Sequence, residues 1–87
     1  MSYVAFVDVM LKEGISDPQG ATIERALPAL GYSGVSGVRV GKRIRLEIDA
    51  TDQSEAQTKI EEMCERLLAN PVIESYEITI DSYEVTL

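Results

Sequence analysis

Apolar and polar positions alternate from the start of the chain. In YVAFVDVML (3–11), Tyr3, Ala5, Val7, Val9 and Leu11 share one face and Val4, Phe6, Asp8 and Met10 the other, the two-residue period of a strand. Both faces are mainly apolar, so both need cover. If the helices lie on one side only, another chain must supply the other cover.

The period then lengthens. Asp17-Pro18 predicts a helix start, with Asp accepting from unpaired backbone N–H groups and Pro already holding a helical φ. Ile23, Ala26, Leu27 and Leu30 follow at helical spacing. Pro28 removes a hydrogen bond to Glu24 and should kink or shorten the last turn, before Gly31 stops it.

From 38 to 49, VRVGKRIRLEID, the two-residue period returns. Val38, Val40, Ile44, Leu46 and Ile48 are even, while Arg39, Arg43, Arg45, Glu47 and Asp49 are odd. A two-residue hairpin at Gly41-Lys42 would set Val40 opposite Arg43 and break the apolar face. One long strand bent at Gly41 preserves it, as does a three-residue loop pairing Val40 with Ile44. The long strand is the preferred expectation.

A second helix begins near Asp52, with Glu55 at capping-box spacing, and carries Ala56, Ile60, Met63, Cys64 and Leu67 on one stripe. Asn70-Pro71 ends it. The last strand, from about Val72, places Tyr76, Ile78 and Ile80 together; Tyr83, Val85 and Leu87 then change parity, which predicts a bulge or break at Asp81-Ser82. This order predicts a single α+β domain over 1–87. It is a two-layer sandwich with an antiparallel sheet and two helices on one face, related to the ferredoxin-like plan.

Composition narrows the chemistry. A chain of 87 residues buries only roughly 60 to 65% of its unfolded surface, so pairing with another chain would add needed stability. With no His and one Cys, the chain cannot build a Ser-His-Asp triad, an imidazole metal site, an internal disulfide or a cysteine zinc site. No apolar run is long enough to span a membrane, and the N-terminus lacks a signal-peptide pattern, so the expected address is cytoplasmic. The net charge of −7 argues against nucleic acid. The charge is uneven: residues 1–46 hold six basic and four acidic side chains, residues 47–87 two basic and eleven acidic. The basic excess is concentrated between Arg39 and Arg45.

Catalytic motifs are missing. The glycines of 31–37 match neither a Walker loop nor a dinucleotide fingerprint. Glu61, Glu62 and Glu65 read as a solvated helix face, and Cys64 as a buried, inert thiol. Gly41-Lys42-Arg43 could hold an anion, although an interface or surface bend is the preferred reading.

Three segments in order, LKEGISDPQGATIERALPALGY (11–32), VRVGKRIRLEID (38–49) and LLANPVIESYEI (67–78), resemble the PurS family, the small subunit of the phosphoribosylformylglycinamidine synthase complex of purine biosynthesis. The resemblance spans nearly the whole chain and is carried by Asp17-Pro18-Gln19-Gly20, Gly41-Lys42 and Asn70-Pro71. It implies a subunit of an ATP-dependent ligase complex with no active site or cofactor of its own. A PurL-type synthetase would use ATP and Mg²⁺, a PurQ-type glutaminase would use glutamine, and this chain would bridge them and support ammonia transfer. It also implies a homodimer or a dimer of dimers. The homodimer candidates are Val4, Phe6, Met10, Val40 and Ile44. The partner-interface candidates are Asp17, Gln19, Gly20, Arg39, Gly41, Lys42, Arg43, Asn70 and Pro71. The competing expectation is an ACT-like regulatory domain that binds a small molecule.

Overall fold

The computed structural model describes residues 1–81. Strand β1, Ser2–Leu11, lies at the centre of a three-stranded antiparallel sheet of order β2-β1-β3, flanked by β2, Gly41–Asp49, and β3, Glu74–Asp81. Its central place matches its composition: Tyr3, Val4, Ala5, Val7 and Val9 are all buried. The parity change expected after Asp81 falls on residues outside those described.

Helix α2, Gln53–Met63, covers the odd face of β1. Ala5, Val7 and Val9 meet Ile60 and Cys64 there, with Ile44, Leu46, Ile78 and Ile80 alongside. Asp52 caps the helix by accepting from the Glu55 N–H at 2.8 Å, and the Glu55 carboxylate accepts from the Thr51 hydroxyl at 2.9 Å. The expected stripe holds through Cys64 and then shifts. A π turn, Cys64–Leu68, carries Leu68 to the core and leaves Leu67 82% exposed. The wider turn places the fourth residue after Cys64, rather than the third, over the sheet.

Helix α1, Pro18–Ala26, is capped as its sequence predicts, and Pro28 ends it early. A 3-10 turn, Pro28–Leu30, follows, and Gly31 closes it with φ 94°, in the left-handed region that glycine tolerates. The α1 stripe does not meet the sheet: Ile23 and Leu30 are exposed. With its connecting loop, α1 forms an arm, and the chain measures 51 × 32 × 16 Å. The radius of gyration is 16.7 Å, against roughly 12 Å for a compact chain of this length.

The long strand over 38–49 requires correction. The ladder begins at Gly41, which pairs with Met10, and neither a bent long strand nor a hairpin forms. The Val38 and Val40 N–H groups donate to the carboxylates of Glu24 and Asp17 instead, both at 2.9 Å. Their even-numbered, half-buried pattern persists because the segment stays beside α1.

Candidate partner interface

The sequence pieces singled out above converge at the end of the sheet where β1 finishes and β2 begins. Asp17, Pro18, Gln19, Val40, Gly41 and Lys42 line an open cleft of about 410 Å³, with Val9, Leu11 and Glu74 completing its wall. Asp17 organises it. One carboxylate oxygen accepts from the Gly20 N–H at 2.9 Å and the other from the Val40 N–H at 2.9 Å, joining the start of α1 to the start of β2. These bonds to Gly20 and Val40, with Arg39 nearby, hold the Asp17 carboxyl below the usual carboxylate range.

Two glycines permit this closeness by their size. A side chain at Gly20 would collide with the Val38 carbonyl and the Asp17 carboxylate, and one at Gly41 would collide with the Val9 carbonyl as well as the Met10 sulfur. Gly41 is therefore needed for packing at a strand start, where a bend was expected.

Asn70 and Pro71 lie at the same end of the sheet. The Lys12 ammonium donates to the Pro71 carbonyl at 2.6 Å, and the Lys12 N–H donates to the Ile73 carbonyl at 2.8 Å. Glu74 ties this turn to the cleft: its carboxylate accepts from the Asn70 N–H at 2.7 Å while it lines the cleft wall.

The basic stretch divides because neighbouring strand residues point to opposite faces. Lys42 lies at the cleft, whereas Arg43 is on the uncovered sheet face, donating to both oxygens of Asp8 at 2.7 and 3.1 Å and lying 4.8 Å from the centre of the Phe6 ring. That pairing lowers the pKa of Asp8. Lys42 and Arg43 therefore cannot share one anion, and the anion-site expectation is set aside. Arg45 is also engaged, with Glu47 at 3.0 Å.

The homodimer candidates divide too. Val4, Phe6 and Met10 share the uncovered face; Val4 is already buried, and Phe6 and Met10 are half-buried. Ile44 packs toward the α2 core, and Val40 lines the cleft. Sequence reasoning missed Lys12, Glu24 and Glu74. Glu24 carried a usable signal, because it recurs seven residues after Asp17, two helical turns along one face. Lys12 acts through contacts across the chain and carried no local signal, whereas Glu74 bonds only four residues back, to Asn70.

Burial raises the pKa of the Cys64 thiol, as expected of an inert core cysteine. Near it, the Glu65 carboxylate facing the Tyr76 hydroxyl pushes that hydroxyl's pKa up to about 12, with burial adding to the effect.

Comparison with known proteins settles the family. The family model PurS, phosphoribosylformylglycinamidine (FGAM) synthase, matches residues 4–82. The chain belongs to the PurS family. It is 52% identical over 79 residues to the PurS subunit of Mycobacterium leprae, covering 90% of this chain and 95% of that one. It is 42% identical over 82 residues to the PurS subunit of Methanocaldococcus jannaschii, covering 94% and 99%. Among solved structures, a chain of PurLQS from Thermotoga maritima matches with a TM-score of 0.86 at 36% identity, covering 93% of this chain and 99% of that one. PurS membership does not favour the ACT-like alternative. Among the described residues, no helix is long and apolar enough to cross a membrane.

Proposed function

We propose that this PurS chain is the adaptor of a phosphoribosylformylglycinamidine synthase, bridging a PurL-type synthetase and a PurQ-type glutaminase and supporting ammonia transfer between them. The reading rests on its likeness to a chain of PurLQS from Thermotoga maritima over nearly the full length of both. ATP, Mg²⁺ and glutamine belong to the partner subunits, this chain binds no cofactor, and the assembly works in the cytoplasm. The cleft lined by Asp17, Gln19 and Lys42, with Arg39 near Asp17 and the adjoining Asn70-Pro71 turn, faces the partners. Two copies meet over the uncovered sheet face at Phe6 and Met10.

Reconstitution tests the adaptor role. Omitting the chain from a mixture of synthetase and glutaminase should abolish glutamine-dependent product formation and leave ammonia-dependent formation intact. Equal glutamine-dependent rates with and without the chain would refute the role. Sedimentation at micromolar concentration tests the pairing of copies, and a stable, folded monomer would refute it.

A further inference from the structure

Strand β2 is an edge of the sheet: among the described residues, no strand bonds to its outer side. Its nine residues contain no proline and pair with β1 without a bulge, so the open row of backbone N–H and C=O groups is a template for another strand. The sequence of β2 says which strand fits. Read outward from Leu46, it is complementary to its own reverse: Arg45 answers to Glu47, Ile44 to Ile48 and Arg43 to Asp49. Residues directly opposite in an antiparallel pair share a face. A two-fold axis through Leu46 therefore sets Arg45 and Glu47 of one copy opposite Glu47 and Arg45 of the other on the exposed face. On the α2 side it joins the half-buried Ile44, Leu46 and Ile48 of both copies into one apolar row.

The two faces together select one register. A pair centred on Arg45 or on Glu47 would set like charges opposite each other, and a register one residue off would set Ile44 and Ile48 opposite charges. The existing ion pairs are compatible with the contact. Arg45 and Glu47 meet at 3.0 Å along one strand, and the second copy completes a square of alternating charge around them. Arg43 holds Asp8 of β1, on the other side from the open edge. The opposite edge of the sheet differs: β3 carries only the carboxylates of Glu74, Glu77 and Asp81, and no register of β3 against itself supplies an opposite charge.

We propose that two copies of this chain join edge to edge through β2, antiparallel about Leu46, in one continuous six-stranded sheet. The contact is the same patch on both copies and therefore closes on itself. It lies at the edge of the sheet, apart from the pairing over the uncovered face at Phe6 and Met10, and stands whether or not that pairing forms.

Disulfide trapping tests the register. In a Cys64→Ala background under mild oxidation, Leu46→Cys should give a linked dimer, because each copy's residue 46 lies opposite the other's at a separation that suits a disulfide. Ile44→Cys should not link to itself but should link to Ile48→Cys when the two are mixed. Adding Arg45→Glu to the Leu46→Cys chain should slow linking by about tenfold, and so should adding Glu47→Arg; mixing those two chains should restore it. Restoration confined to the mixture reports a contact between copies, since no change within one chain produces it. Absence of linking at Leu46, equal linking of Ile44→Cys alone, or a mixture no faster than its components would each overturn the proposal. Open-ended oligomers of the wild type would also overturn it, by assigning the edge of β2 to β3 of the next copy. Loss of the pairing over Phe6 would leave the linking unchanged, so the two contacts fail separately.

Discussion

Against the sheet, α2 buries Ala56 and Ile60 completely and the π turn after it buries Cys64, whereas α1 buries no apolar residue and encloses only Gly20. Both helices carry an apolar stripe and an Asp cap, so local sequence does not separate them. What differs is the means of attachment. Burial of side chains holds α2, while two carboxylates, Asp17 and Glu24, hold the strand-like segment 38–40 beside α1 through its N–H groups. One layer is built from removal of apolar surface, and the other from a few directed hydrogen bonds that leave the stripe exposed.

The comparison breaks most readily at Ile60. Ile60→Ala empties the centre of the α2–sheet core and should cost roughly 2 to 5 kcal/mol, measured by denaturant unfolding. A loss as small as that of a surface substitution would mean that α2 is not held by burial. Gly20→Ala comes next, because its methyl group meets the Val38 carbonyl and the Asp17 carboxylate; overpacking of that kind costs roughly 1 to 3 kcal/mol. The damage should be confined to the arm. Hydrogen exchange at Val38 and Val40 should quicken while the amides of β1 keep their protection, and equal quickening in both would show that arm and core unfold together.

Asp17→Asn sharpens the difference further. Asparagine keeps one oxygen to cap Gly20 but presents an amide group where the second oxygen accepted from Val40, so exchange should quicken at Val40 and not at Gly20. Acid should reproduce the wild-type part of this effect. Because the folded Asp17 carboxyl titrates below its ordinary range, its contribution is complete above that range and is lost as pH falls through the folded value. Wild type and Asp17→Asn should therefore converge on acidification, and a gap that widens in acid would contradict the assignment. The smallest effect belongs to Arg43→Ala, whose exposed pair with Asp8 should shift the melting temperature by only a few degrees.

Much of this architecture was legible in the residues. The two-residue period of 3–11 marked the first strand, Asp17-Pro18 and Asp52 marked two helix starts, and Pro28 and Gly31 marked a stop. The cleft was legible in part, since Asp17, Gln19, Gly41 and Lys42 were singled out before being found together. Arg43 was singled out with them and lies on the other sheet face, held by Asp8.

Sequence by itself determined the period of each segment, the helix caps and breaks, and the absence of histidine chemistry, because these depend on residue type and near neighbours. Tertiary structure decided that Val38 and Val40 donate to α1 rather than to a strand, that Leu67 turns away from the core, and that Lys12 holds the turn at Pro71. Each of those outcomes is a choice among partners distant in the chain. Such a choice follows from which polar groups and apolar surfaces remain unsatisfied once the sheet has formed.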